Sequence, residues 1–315
     1  MKRFAAALGV AAVWFVPLAA QADPLDTPLP KAAWVKTIGS LRVEKYGQGA
    51  PALILVPGLG CGSWAFRDTV AREAPHHVIY SVTMAGTDGL PGGSDATLDN
   101  AEASIVTLIA NEHLKMPVVV GHSLGGTLAL RFGIDHGDLV KAIVSVDGTP
   151  VQPQFAMASA AERTAAAQQF YDVVSNQSQA DYEKAEARYT ADYVTDPALA
   201  AKVSTLVQRS DRKAVAEYGR ELYLLDLRPL LPKLSVPTAE IAPIPGLPLP
   251  SYLPSVMATM SMDDRTKASL GFYRQLLAGT PNLTVIPVVN SRHFVMLDQP
   301  AEFQTALDGF LAGLP

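Results

Sequence analysis

The chain is 315 residues long, enough for one large domain or a domain with a substantial insertion. Hydrophobic residues make up 49% and charged residues 17%, which excludes a disordered chain. A net charge of −5 and a pI near 5.7 leave no basic footprint, so no nucleic-acid partner is expected. Cys61 is the only cysteine, so neither an intramolecular disulfide nor a cysteine metal cluster can form, and stability must come from the core.

At the N-terminus Lys2 and Arg3 precede an apolar stretch from Phe4 to Leu18, and Ala20-Gln21-Ala22 supplies an A-x-A site before Asp23. This is the pattern of a secretory signal cleaved after Ala22. As a membrane anchor the stretch falls short of the roughly 20 residues a span needs, and Pro17 interrupts it. Cleavage takes the net charge from −5 to −7 by removing Lys2 and Arg3. The expectation is a periplasmic or secreted protein with no stable membrane insertion once residues 1–22 are gone.

Residues 23–30 form a Pro-rich leader. Residues 41–46 alternate as a half-exposed strand, while 52–56 (Ala-Leu-Ile-Leu-Val) run continuously apolar into a Gly-rich turn, as a buried strand does. Residues 77–82, 117–120 and 142–146 read the same way, with helices predicted between them at 65–71, 98–114 and 124–133. Residues 151–230 break the rhythm. They hold no strand-like run, and apolar residues recur at helical spacing (Phe170, Tyr171, Val174; Tyr182, Ala185, Tyr189), so a helical insertion of three to five helices is expected. The α/β alternation resumes with a strand at 236–241, a helix at 264–277, a strand at 283–288 and a helix at 301–311. Residues 242–254 carry Pro243, Pro245, Pro248, Pro250 and Pro254, which predicts a stiff extended loop straight after a core strand. The resulting division is a core of 23–150 and 231–315 with a cap of 151–230.

The motif that carries chemistry is Val118-Val-Val-Gly121-His122-Ser123-Leu124-Gly125-Gly126. A buried strand ends in G-x-S-x-G and a helix follows, so the turn raises Ser123 Oγ above the sheet edge as a nucleophile. The Leu124 amide then stands at a helix N-terminus, able to donate to a developing oxyanion. A second donor is expected from Val56-Pro57-Gly58-Leu59-Gly60-Cys61-Gly62, and the Leu59 amide is assigned to it, with Cys61 read as pocket lining. Of six histidines, His293 is the only one after Ser123 in a loop that follows a predicted strand, in Asn290-Ser-Arg-His293-Phe-Val-Met-Leu-Asp298-Gln-Pro300. It is the candidate base.

These three motifs resemble the α/β-hydrolase superfamily, in its lipase/esterase-like branch with an N-terminal oxyanion loop and a helical cap. The resemblance covers residues 36–314 in pattern and is specific at the elbow and at His293-Phe-Val-Met-Leu-Asp-Gln-Pro-Ala-Glu-Phe. It implies an α/β-hydrolase fold with a mostly parallel eight-stranded sheet flanked by helices, the chain order serine, acid, histidine, and hydrolysis without a metal or organic cofactor. Two departures stand out. Many relatives follow the fourth strand with an Asp-x-x-Gly-x-Gly type segment, where this chain has Ser81-Val-Thr-Met-Ala-Gly86-Thr-Asp-Gly89. The usual acid follows the strand placed at 236–241, and Ala242-Pro-Ile-Pro-Gly-Leu-Pro-Leu-Pro250 holds no carboxylate.

The acid is therefore assigned to Asp147, at the end of the strand beside the elbow strand, a position some family members use. Its turn, Val146-Asp147-Gly148-Thr149-Pro150, equally suits a local aspartate. Asp263, Asp264 and Asp298 are the rivals, and Asp88 is placed to contribute from the pocket mouth. The expected chemistry is cleavage of a small-molecule carboxylic ester through an acyl-enzyme, with Phe155, Met157, Phe170, Tyr171 and Tyr182 available to line an apolar pocket. An amidase, acyltransferase or haloperoxidase-type relative, or a binding protein that has lost activity, fits the same motifs.

Overall fold

The computed structural model describes residues 23–315, so the signal-like segment lies outside the described residues. Its centre is an eight-stranded sheet: β1 (Trp34–Ile38), β2 (Leu41–Gly47), β3 (Leu53–Val56), β4 (Val78–Met84), β5 (Val118–His122), β6 (Ala142–Val146), β7 (Thr238–Ile244) and β8 (Leu283–Val289). They lie in the order β1-β2-β4-β3-β5-β6-β7-β8, and every pair beyond β2–β4 is parallel. The central strands read as unbroken apolar runs because both faces are covered. Ile54, Val56, Val119 and Ile143 face one core, and Leu53, Leu55, Val118, Val120 and Val144 face the other. Helices α2 (Leu98–Asn111) and α3 (Leu124–Asp135) close the first core, and α1 (Arg67–Glu73) and α10 (Pro300–Ala312) close the second.

One strand is additional to the sequence reading and one expectation is corrected. β1 carries no buried alternation, because three of its five residues are exposed on the sheet edge. The loop expected from residue 242 begins later, since β7 continues through Pro243 to Ile244. The ladder to β6 ends at Ile241 while the ladder to β8 runs on, so Pro243 sits where one flank of the strand has no partner to receive an N–H.

The segment between β6 and β7 holds four helices, α4 (Ala160–Asn176), α5 (Gln179–Tyr193), α6 (Pro197–Val207) and α7 (Arg212–Leu224). Its two ends meet: Val151 bridges Asp226, and the Leu227 N–H donates to the Pro150 carbonyl. Leu199, Val203 and Val207 of α6 join one core, and Ala214, Tyr218 and Leu222 of α7 join the other. The insertion is anchored to the strand-end loops as well. Ser210 Oγ donates to the Gly60 carbonyl and Tyr218 Oη to the Ala85 carbonyl. Helix α8 (Met262–Leu276) crosses from β7 to β8, and the short α9 (Val295–Asp298) precedes α10. Among the described residues no helix is long and apolar enough to cross a membrane.

Helix α1 meets α10 through Glu73, which is 2% exposed, accepts from Gln304 Nε2 and faces His77 Nε2 at 3.5 Å. Burial first, then Asp308, pushes its carboxyl up from 4.5 to about 8. The folded chain therefore keeps a proton there that the unfolded chain has released, and this contribution to stability is lost as pH rises from about 4.5 toward 8. Glu73→Gln should flatten that part of the profile: urea unfolding at about pH 5 and about pH 8 should show a smaller loss in the variant than in wild type. An identical loss in both proteins would contradict the assignment.

Candidate active site

The site is built at the C-terminal ends of β3, β5 and β6, where a parallel sheet offers its strand-end loops. β5 and β6 pair in register as far as His122 and Val146. The next residues, Ser123 and Asp147, leave the sheet side by side, with φ of 54° and 49°. The Ser123 N–H donates to the Val146 carbonyl at 2.9 Å, and the Asp147 N–H to the Ile241 carbonyl at 3.1 Å. Ser123 is the N-cap of α3, with ψ of −116°, a strained setting for a residue with a β-carbon. Two glycines make the turn possible: a Cβ at Gly121 would fall 2.0 Å from the Gly125 carbonyl oxygen, and one at Gly125 would fall 2.2 Å from the Val56 oxygen.

His293 arrives from the loop after β8. Its Nδ1 stands 2.5 Å from Asp147 Oδ2. With the aspartate ionised, Nδ1 carries the proton and Nε2 keeps a free lone pair. The ring packs against those of His122 and Tyr193, both tilted to it and each with its centroid 4.7 Å away. No hydrogen bond joins Ser123 Oγ to His293 Nε2 among the described residues; such contacts commonly shorten once substrate is bound. His122 is fully buried, and its Nε2–H donates to the His293 backbone carbonyl at 3.0 Å. Burial holds its imidazole well below the ordinary value, hence neutral, and it braces the backbone of the loop that carries His293.

Opposite the elbow lies the loop after β3. A Cβ at Gly58 would be 3.2 Å from Ser123 Cβ, which places the Gly58-Leu59 peptide against the serine. Among the described residues neither the Leu59 nor the Leu124 N–H donates to a carbonyl in a turn or loop. Cys61, expected at the pocket wall, is instead packed into the core at 1% exposure, with Sγ donating to the Leu59 carbonyl. Burial pushes its thiol up, so it stays protonated.

Among the described residues none of the other candidate acids contacts His293. Asp263 and Asp264 lie in the first turn of α8. Asp88 is paired with Arg209 and Arg42. Asp298 accepts from the Arg292 N–H and from Thr195 N and Oγ1. Among the cap residues proposed for a pocket, Met157 is 97% exposed, while Phe155 and Phe170 pack on Tyr223. Among the described residues no group of three His, Cys, Asp or Glu is placed to hold a metal.

Sequence reading missed three features. Tyr193, at the end of α5, packs its ring tilted against His293 and edge-on against Tyr252. Tyr273 of α8 donates to Asp147. Arg292 is the third: Nη1 donates to the Ala191 and Val194 carbonyls at the end of α5, and Nη2 to the Pro248 carbonyl. One guanidinium thus ties the cap, the Pro-rich loop and the histidine loop together. Its adjacency to His293 was the only signal in the sequence.

Both the sequence and the fold have matches among known proteins. The profile of the Alpha/beta hydrolase family matches residues 53–306, and the chain belongs to that family. It is similar to the "Putative carbamate hydrolase RutD" of Yersinia enterocolitica, 25% identical over 230 residues covering 70% of this chain and 80% of that one. It is also similar to the pimeloyl-[acyl-carrier protein] methyl ester esterase of Vibrio vulnificus, 32% identical over 111 residues, 35% of this chain and 41% of that relative. Its fold resembles that of a thermophilic esterase from Thermogutta terrifontis, with a TM-score of 0.67 at 15% identity, covering 89% of this chain and 98% of that one. The chain is thus an α/β hydrolase with esterase-like relatives.

Replacing Arg292 tests the clasp. In Arg292→Leu three carbonyls lose their donor, and the unfolding free energy should fall by on the order of 2–4 kcal/mol in urea titration. A change within about 0.5 kcal/mol would show that the clasp is dispensable.

Proposed function

We propose that this protein is an exported serine hydrolase that cleaves small-molecule carboxylic esters through an acyl-enzyme on Ser123. The observation that supports it most is the 2.5 Å contact between His293 Nδ1 and Asp147 Oδ2, beside a serine held at a φ of 54°. In this reading His293 Nε2 takes the Ser123 hydroxyl proton as Oγ attacks the ester carbonyl. Asp147 stabilises the resulting imidazolium. The Leu59 and Leu124 amides receive the oxyanion, and at collapse the imidazolium passes its proton to the departing alcohol. Water, deprotonated by the same histidine, then releases the acid and restores Ser123. No step draws on a metal or organic cofactor. Similarity to the methyl ester esterases favours an ester carbonyl. The longer match to the carbamate hydrolase makes a carbamate the natural second substrate to assay.

Labelling with a fluorophosphonate, alongside hydrolysis of p-nitrophenyl esters and carbamates, is the test. Wild type should label and turn over. Ser123→Ala should lose labelling and fall by roughly 10⁴-fold or more, and Asp147→Asn by roughly 10³–10⁴-fold in kcat. Full activity in Ser123→Ala would remove the nucleophile, and full activity in Asp147→Asn would remove the acid.

Export rests on residues 1–22. The charge and cleavage pattern there supports release of a mature chain beginning at Asp23. Intact mass of protein recovered outside the cytoplasm should correspond to residues 23–315. A mass that includes residues 1–22 would contradict the signal reading.

A further inference from the structure

An aspartate side chain is poorly fixed by one hydrogen bond, because its terminal torsion has broad, roughly two-fold preferences. Asp147 stands on a single turn residue, and His293 Nδ1 takes only Oδ2. Its other oxygen, Oδ1, accepts from the hydroxyl of Tyr273. Tyr273 is 6% exposed and projects from the inner face of α8, so two donors on different elements define the carboxylate plane. Near them lies Glu240 of β7, fully buried and level with Ser145 in the ladder. Burial, with the charge of Asp147 adding to it, raises the Glu240 carboxyl and keeps it neutral. Burial and the same carboxylate raise the Tyr273 phenol well above its ordinary value, which favours the hydroxyl as a donor.

The arrangement answers a peculiarity of this sequence. The segment after β7 offers no carboxylate, and the acid stands after β6, on the side where α8 can reach it. We propose that Tyr273 is a positioning residue of the reaction, orienting the Asp147 carboxylate and, through it, setting the proton affinity of His293. This rests on the reading of Ser123, His293 and Asp147 as the reacting set.

The groups facing His293 define what its removal should do. They are Asp147 from the turn after β6, His122 from the end of β5, Tyr193 from α5, and Arg292 and Phe294 from its own loop, with Tyr252 behind Tyr193. Asp147 is the acidic side chain among these and Arg292 the guanidinium, and Arg292 is spent on backbone carbonyls. Without the tyrosine hydroxyl, negative charge concentrates on the oxygen facing the imidazole. The imidazolium is then held more tightly, and the base becomes available only at higher pH.

The experiment is a mutant cycle on p-nitrophenyl ester hydrolysis with Tyr273→Phe, Asp147→Asn and the double variant, each with a pH–rate profile and a melting curve. Tyr273→Phe should lower kcat by about tenfold with KM nearly unchanged, and move the acid limb of kcat/KM up by roughly half a pH unit. In the Asp147→Asn background it should add no further loss. Equal losses in both backgrounds, or a lower melting temperature with an unmoved limb, would make Tyr273 merely structural and overturn the proposal. Should the phenylalanine variant fail to fold, Tyr273→Gln, which keeps a donor there, enters the same cycle and must stay closer to wild type than Asp147→Asn. Turnover that survives in Ser123→Ala brings down the reading of the site and this proposal with it. Ser123-dependent turnover that ignores Tyr273 brings down the proposal alone.

Discussion

The register between β5 and β6 is the constraint on which the site depends. Because His122 pairs with Val146, the two residues that follow emerge from adjacent parallel strands at the same height. Both turn immediately into the left-handed region, and the Ser123 amide is tied to the Val146 carbonyl. Adjacent strands lie about 4.8 Å apart, so a single loop crossing above them can address both residues. His293 belongs to that loop. A slip of one residue would turn every side chain of β5 to the other face and separate the serine from the aspartate.

What holds the third group in place is a set of buried polar contacts rather than the sheet. Arg292 gathers three carbonyls from the cap and the Pro-rich loop, and Asp298 receives the Arg292 and Thr195 amides from the two sides of the same junction. His122 supports the backbone of His293 from below, and Tyr193 covers its ring from the cap. The insertion between β6 and β7 is thereby part of the setting of His293. Movement of α5 relative to the core would carry Tyr193 off the imidazole and strain the Arg292 clasp.

Much of this was legible from residue order. The continuous apolar runs ending at Val56, Val120 and Val146 marked the central strands, since strands buried on both faces need no polar alternation. The G-x-S-x-G around Ser123 marked the elbow because few turns need glycine at both Gly121 and Gly125. The exposed edge strand at Trp34–Ile38 left no pattern to read, and Pro243 suggested a loop where an unpaired flank tolerates a proline in a strand. The aspartate and histidine contact links residues 146 positions apart, and Tyr273 reaches Asp147 across 126. Their meeting is a property of sheet order and helix placement. No local spacing encodes it, and the contacts of Tyr273 and Arg292 became readable only once the topology was known.

The most direct test of the central claim is a crystal structure of the protein after reaction with a phosphonate ester. The account predicts a phosphorus–oxygen bond to Ser123 Oγ, with the phosphoryl oxygen about 3 Å from the Leu59 and Leu124 amides and His293 Nε2 turned toward the adduct. An unmodified Ser123, or an adduct whose oxygen points away from both amides, would contradict it.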